Sequence, residues 1–252
     1  MEGRIRSGEV ELAAHLARPP GYPKGPLPAV VLCHGFPSSV RADAVAETAA
    51  ELADRIATEM GWVALAIAFK GCDESGGNFS LRGWIDDIHA AVAHVEQAVH
   101  PLGIWVVGFG TGGALAVCAG ADDQRIRGVA ALAAPGDFDD WASHPRRLLQ
   151  HAREMGAIRD PDYPPAFDAW SRELKEIRAV ACVQKYAPRP LLVVHGSDDD
   201  LVPSFDARIL ADAHGSAELR LINGAGHALR HDPRAVAVLL GWLDRQRHSI
   251  HL

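Results

Sequence analysis

Residues 104–119 read Ile-Trp-Val-Val-Gly-Phe-Gly-Thr-Gly-Gly-Ala-Leu-Ala-Val-Cys-Ala and carry the strongest structural signal in the chain. The apolar run 104–107 predicts a buried strand, and residues 114–119 favour a helix. The glycine-rich turn between them has the layout of a nucleophile elbow, in which the pattern G-x-S-x-G exposes a serine at the tip of a sharp turn. Here the residue at the tip is Gly110, so the turn is either a catalytic elbow without its nucleophile or a different motif.

Strands and helices alternate outward from this stretch in both directions. Short, wholly apolar runs at 29–33 and 62–68 predict strands that are covered on both faces. Ser80 predicts the N-cap of a helix with the apolar stripe Trp84, Ile85, Ile88, Val92, Val95 and Val99. Other strands are expected at 10–16, 128–133, 191–194 and 219–222, and other helices at 45–56 and from Asp232-Pro233 to Trp242. This alternation predicts an α/β fold with a mostly parallel sheet and helices on both faces.

The alternation is interrupted between residues 137 and 188. This segment holds several prolines, an amphipathic stretch over 167–183, and the aromatic residues Trp141, Tyr163, Phe167, Trp170 and Tyr186. Because it follows a strand, we expect a single domain over residues 1–252 with a short helical cap inserted at about 137–188. A helical excursion on the surface explains the composition equally well, and such aromatic residues more often belong to a core than to a substrate wall.

Composition and net charge limit the classes of partner that the chain is expected to bind. The 252 residues include 25 Lys and Arg against 32 Asp and Glu, a net charge of −7, which argues against nucleic acid and anionic membrane surfaces. A small molecule is the expected partner, and the oligomeric state stays open. The first residues lack the apolar core of a signal peptide. The cysteines are widely spaced, which predicts reduced thiols and a cytoplasmic location; they are Cys33, Cys72, Cys118 and Cys182.

Four separate motifs follow one another at the ends of predicted strands. They are His34-Gly35-Phe36-Pro37, the turn at 108–113, His195-Gly196-Ser197-Asp198-Asp199-Asp200-Leu201-Val202-Pro203, and Gly224-Ala225-Gly226-His227. Together they resemble the α/β-hydrolase superfamily, with its chain order of nucleophile, acid and histidine, over residues 30–243. Residues 69–77 resemble more loosely the family loop that usually reads R-G-x-G-x-S.

The resemblance implies a role for each matching position. His227 matches the catalytic base and Asp199 the acid that orients it, with Asp198 and Asp200 as neighbours that could take its place. The backbone N–H groups of Phe36 and Thr111 match the two oxyanion donors. Position 110 matches the nucleophile but is a glycine, which is the departure from the family pattern.

Without a hydroxyl at position 110, covalent serine catalysis is excluded there, since no attacking atom remains. Two hypotheses follow. In the first, the chain binds a small acyl-type or hydrophobic ligand with little or no hydrolysis; locally the elbow resembles that of the N-myc downstream-regulated family, whose glycine implies a non-enzymatic role. In the second, a water activated by His227 and Asp199 weakly hydrolyses ester, thioester or amide bonds.

Other sources of chemistry are less well supported. Gly108, Gly110 and Gly113 also spell the dinucleotide fingerprint G-x-G-x-x-G, but no acidic residue closes the following strand, so no cofactor is expected. Thr111, Cys72 and Ser38 are weaker candidates for a replacement nucleophile.

Three further histidines lie in or near these motifs. His34 and His195 are expected to be structural. His231 lies four residues after His227, but no third ligand accompanies the pair, so no metal site is expected.

Overall fold

A single sheet runs through the molecule in the computed structural model, which describes residues 2–21, 25–37 and 43–248. Its strand order is β1-β2-β4-β3-β5-β6-β7-β8. The pairings β1 with β2 and β2 with β4 are antiparallel, and the five others are parallel. The mostly parallel sheet predicted from the sequence is therefore confirmed. The strands are β1 Glu2–Ser7, β2 Val10–Ala17, β3 Ala29–Cys33, β4 Val63–Ile67, β5 Ile104–Phe109, β6 Ile126–Leu132, β7 Leu191–Gly196 and β8 Glu218–Ile222.

Helices cover both faces of the sheet. They are α1 Asp43–Arg55, α2 Leu81–Val99, α3 Thr111–Asp122, α4 Asp139–Ser143, α5 Pro145–Glu154, α6 Phe167–Glu176, α7 Ala179–Tyr186, α8 Ser204–His214 and α9 Pro233–His248, with a π-helical turn at Ile56–Met60 and a 3-10 turn at Leu229–His231. One core lies between the sheet and α2, α3, α7 and α8, and a second lies under α1 and α9. No helix within the described residues is long and apolar enough to span a membrane.

Strand β3 shows why the apolar runs become central strands. Its residues alternate between the two cores, with Val31 in the first and Val30 and Leu32 in the second. A strand buried on both faces needs apolar side chains at every position, which is why the run shows no polar alternation. The cap of α2 is also as predicted, because Ser80 Oγ accepts a hydrogen bond from the Gly83 N–H at 3.0 Å.

The segment between β6 and β7 differs from the sequence expectation in its helix boundaries. The amphipathic stretch predicted over 167–183 is two helices, α6 and α7, separated by extended backbone at Ile177 and Arg178. The Arg178 guanidinium binds Asp137 at 2.8 Å and Asp139 at 2.7 Å, which fixes the chain at this break. Helix α7 then packs against α3 and α8, in the layer beside the sheet.

Candidate active site

The elbow at Gly110 is a sharp turn between β5 and α3. Gly110 has φ 53° and ψ −126°, a left-handed conformation in which a residue with a side chain is strained by about 1–3 kcal/mol. Its N–H donates to the Leu132 carbonyl oxygen at 2.8 Å, and its own carbonyl oxygen accepts from the Gly113 N–H at 2.9 Å. The backbone therefore holds the strand-to-helix turn of a nucleophile elbow without any contribution from a side chain at its tip.

The neighbouring glycines permit close packing around the turn. A Cβ atom on Gly108 would overlap the carbonyl oxygen of Gly112, and one on Gly112 would overlap that of His34. Residues without side chains thus let β5, α3 and the loop after β3 approach one another. This packing accounts for glycine at positions 108 and 112 without a nucleotide.

A hydrogen-bonded acid and base lie on the loops after β7 and β8. His227 Nδ1 lies 2.9 Å from Asp199 Oδ2, and Asp199 Oδ1 accepts from the N–H groups of Leu201 at 3.0 Å and Val202 at 2.9 Å. The Asp199 side chain is fully buried. Asp198 and Asp200 are exposed, so among the three consecutive aspartates only Asp199 contacts the histidine.

The other nitrogen of His227 faces the elbow. A Cβ atom built on Gly110 would lie 3.2 Å from His227 Nε2, and no described residue hydrogen-bonds to this nitrogen. Because a carboxylate only accepts, the neutral ring carries its proton on Nδ1, and this tautomer leaves the Nε2 lone pair directed at position 110. The side chain is 30% exposed, which leaves the base accessible.

The two segments that flank Gly110 carry the predicted oxyanion donors. The Cα atom of Gly35 would lie 3.7 Å from a Cβ on Gly110, so the loop with Phe36 lies beside the elbow. Thr111 is the first residue of α3, where an N–H has no partner within the helix. Neither the Phe36 nor the Thr111 N–H donates to an acceptor among the described residues. Their role as oxyanion donors stays a prediction.

His34 connects the loops after β3 and β4. Its Nε2 accepts from the Phe69 N–H at 3.0 Å, and its Nδ1 lies 2.6 Å from the Gly35 carbonyl oxygen, to which it donates. Burial, with a smaller contribution from the nearby Arg230 charge, lowers the pKa of His34 to about 4. A neutral His34 therefore connects the loop that carries Gly35 and Phe36 to the loop after β4, in agreement with the structural role expected of it.

The other candidate nucleophiles gain no support. Cys72 is buried, and burial raises the pKa of its thiol far above the usual range, so the reactive thiolate is disfavoured. The Thr111 side chain is buried, and Ser38 lies outside the described residues. Over the described residues, no three His, Cys, Asp or Glu side chains are grouped as metal ligands.

Aromatic side chains pack around Phe36, the residue after Gly35 in the loop beside the elbow. The Phe36 ring lies 5.0 Å from Phe79, 5.4 Å from Trp141 and 5.7 Å from His151, measured between ring centroids. A groove of about 540 Å³ on α4 and α5 includes Trp141 and His151 in its lining. Trp170, by contrast, is buried. Among the predicted aromatic residues, Trp170 and Tyr186 therefore lie in the core, Trp141 lines this groove, and Tyr163 and Phe167 line a separate one.

Sequence reasoning missed one contact to the acid. His195, expected to be only structural, has its Nε2 atom 3.2 Å from Asp199 Oδ2. His195 lies near the end of β7, and Asp199 follows it by four residues in the loop after this strand. This short spacing is the signal that could have indicated the contact.

Comparison with known proteins agrees with this geometry. The model of an alpha/beta hydrolase family matches residues 30–239. No curated protein matches the sequence significantly. Similar solved structures include Est1E from Butyrivibrio proteoclasticus with bound ferulic acid, at 21% identity and a TM-score of 0.71, covering 98% of this chain and 99% of that one. The α/β hydrolase GrgF from Penicillium sp. sh18 has 19% identity and a TM-score of 0.74, with coverage of 98% and 99%.

A third similar structure is the esterase Pf2001 from Pyrococcus furiosus, at 19% identity, a TM-score of 0.69 and coverage of 98% and 91%. At these identities the likeness establishes the fold and leaves the reaction open. The family match itself extends from β3 into α9 and so includes the elbow, the acid loop and the histidine loop. The chain therefore belongs to the α/β-hydrolase family.

Proposed function

We propose that this chain binds a small acyl-type or hydrophobic ligand beside Gly110 and performs little or no serine-type hydrolysis. The observation that carries the proposal is the 3.2 Å between a Cβ built on Gly110 and His227 Nε2. That separation suits a side chain whose proton His227 would remove, and glycine has no side chain to supply it.

The loss of a nucleophile has a large effect on rate. In the protease subtilisin, removing the catalytic serine lowers kcat by about 10⁶-fold, while binding and the oxyanion hole retain about 10³–10⁴-fold over water. A site with glycine at this position keeps the means to bind a carbonyl group and to stabilise its oxygen. It lacks the atom that forms an acyl-enzyme.

The remaining groups suggest how such a ligand is held. The N–H groups of Phe36 and Thr111, which donate to no acceptor in the described part of the chain, suit a carbonyl oxygen, and the Nε2 lone pair of His227 suits a hydroxyl or amide N–H. The rings of Phe36 and Trp141 offer apolar surface for the rest of the molecule. An acyl group with a hydrophobic substituent combines these features.

A second function, weak hydrolysis by water, is favoured by the intact Asp199–His227 pair. His227 Nε2 would take a proton from water as the oxygen adds to the carbonyl carbon of an ester, thioester or amide. The tetrahedral intermediate would then expel the leaving group, which takes the proton back from His227. Dinucleotide binding at 108–113 has less support, because close backbone packing already accounts for the glycines at 108 and 112.

Hydrolysis of short- and medium-chain esters by three purified forms tests the proposal. The unmodified protein and the His227→Ala variant should both be inactive, and Gly110→Ser should gain about 10³-fold or more over the unmodified protein. Activity of the unmodified protein that disappears in His227→Ala would replace the binding function with water-based hydrolysis. Activity unaffected by His227→Ala would contradict both functions at this site.

A cytoplasmic location is part of the same proposal. All four cysteines are free, and three of them are buried. Unpaired thiols suit a reducing compartment. Cell fractionation would test the location, and recovery outside the cytoplasm would contradict it.

A further inference from the structure

His195 occupies a fully buried position directly below the acid. Its Nε2 atom lies 2.9 Å from the Val202 carbonyl oxygen and 3.2 Å from Asp199 Oδ2, and both side chains, His195 and Asp199, are 0% exposed. A carbonyl oxygen can only accept a hydrogen bond, so the Nε2 atom of His195 must carry a proton. This nitrogen therefore donates to the Val202 carbonyl oxygen, and the Asp199 carboxylate lies beside the same N–H group.

The second ring nitrogen of His195 behaves differently. Its Nδ1 atom is buried and has no hydrogen-bond partner among the described residues. A proton on Nδ1 would place a buried N–H where no described acceptor meets it, which is unfavourable, and more so for a charged ring. The geometry thus favours a neutral ring with a single proton on Nε2.

We propose that His195 is a positioning residue of this site, which donates from a neutral Nε2–H to the Val202 carbonyl oxygen and so fixes the turn that holds the Asp199 carboxylate in line with His227. The proposal rests on the Asp199–His227 pair of the proposed function, and it requires no turnover. His195 acts only through Asp199, since His227 and not His195 faces Gly110.

The hydrogen bonds around the carboxylate show why the turn at Val202 matters. Asp199 Oδ1 is held by the backbone N–H groups of Leu201 and Val202, and Asp199 Oδ2 by His227 Nδ1, from a ring that is partly exposed. His195 is buried at the end of β7, and its Nε2–H binds the Val202 carbonyl oxygen. The buried ring therefore anchors to the sheet the turn whose N–H groups hold the acid.

Two substitutions separate this role from simple packing. His195→Phe keeps an aromatic ring but removes the donor. His195→Gln keeps a donor, because its amide nitrogen reaches about as far as Nε2 and carries hydrogens for the Val202 carbonyl oxygen. Both variants are compared with the unmodified full chain, with thermal unfolding to verify that each one folds.

Long-range ¹H–¹⁵N NMR spectra of the ring nitrogens at pH 7 provide the main measurement. The His195 signals, assigned by their loss in His195→Gln, should show a proton on Nε2 and none on Nδ1. The His227 signals, assigned with His227→Ala, should show a proton on Nδ1. In His195→Phe they should shift towards a mixture of the two neutral tautomers, and His195→Gln should restore the original pattern.

Two results would overturn the proposal. One is a proton on His195 Nδ1 in the unmodified protein, which also decides the matter if His195→Phe does not fold. The other is an unchanged His227 pattern in folded His195→Phe.

These spectra do not depend on ester hydrolysis, so the positioning role can be contradicted without the proposed function, and the proposed function without the positioning role. If Gly110→Ser is active, adding His195→Phe should lower kcat about tenfold with KM unchanged.

Discussion

The site has two halves that are maintained in different ways: the elbow half, the turn at 108–113, and the acid–base half, the pair Asp199 and His227. At the elbow, the close approach of backbone atoms around Gly108 and Gly112 fixes the turn, so its shape needs no reactive side chain. In the acid–base half, a buried carboxylate keeps hydrogen bonds on both oxygens and a partly exposed histidine beside it. Packing explains the first half. Because a buried charge is costly unless it is fully paired, the second half suggests a use for His227 and Asp199.

The largest expected effect concerns the acid in a variant with its nucleophile restored. In the Gly110→Ser background, Asp199→Asn should lower kcat for ester hydrolysis by about 10³-fold, because an amide no longer selects the Nδ1–H tautomer of His227. Asp200→Asn is the matched control, since Asp200 is exposed in the same loop, and it should change kcat less than about twofold. If Asp199→Asn lowered kcat no more than Asp200→Asn does, the Asp199–His227 pair would not assist a serine at position 110, which would contradict the prediction.

Low pH should destabilise the folded chain through His34, which lies in the loop beside the elbow. Its pKa is lowered from 6.5 to about 4 in the folded chain, so below pH 6.5 the unfolded chain takes up a proton that the folded chain does not. The free energy of unfolding should therefore decrease as the pH falls from 6.5 towards 4, by about 3 kcal/mol from this group.

The measurement for His34 is urea unfolding of the unmodified protein and of His34→Gln at several pH values. The free energy of unfolding of each protein is compared with its own value at pH 7.5, where His34 is neutral in both states. Between pH 6.5 and 4 this free energy should decrease less in the variant than in the unmodified protein. Parallel curves for the two proteins would contradict the contribution of a buried neutral His34.

The smallest effect tests strain at the tip of the elbow. Gly110→Ala should lower the free energy of unfolding by about 1–3 kcal/mol, since alanine is strained at φ 53°. Gly3→Ala is the control, because a Cβ there meets no atom within 4 Å, and it should change stability by less than about 0.5 kcal/mol. Equal stability of the two variants would mean that glycine is not required by the backbone at position 110.

Much of the fold could be predicted from local pattern. Strand β3 and the Ser80 cap each depend on residues close in sequence, so periodicity and capping chemistry identify them. Strand β1 was not predicted, because its single buried apolar side chain, Ile5, gives no alternation to detect. The break at Arg178 was missed because it depends on ion pairs with carboxylates about forty residues earlier in the chain.

The site was predictable to the same extent. Motif spacing identified His227, Gly110 and the run of three aspartates. The spacing of the third motif selected Asp199 and kept Asp198 and Asp200 as neighbours to which the assignment could shift; only the folded loop shows which carboxylate turns inward. The position of His195 four residues before Asp199 could have indicated their contact, but its hydrogen bond to the Val202 carbonyl oxygen depends on the folded loop.

Intact-mass spectrometry after treatment with a fluorophosphonate tests most directly whether position 110 is the nucleophile position. In Gly110→Ser, attack by the introduced serine on phosphorus with loss of fluoride should give one covalent adduct, which peptide mapping should locate at position 110. The unmodified protein should remain unlabelled under the same conditions. An adduct on the unmodified protein, or none on folded Gly110→Ser, would contradict an acid–base site assembled around a glycine.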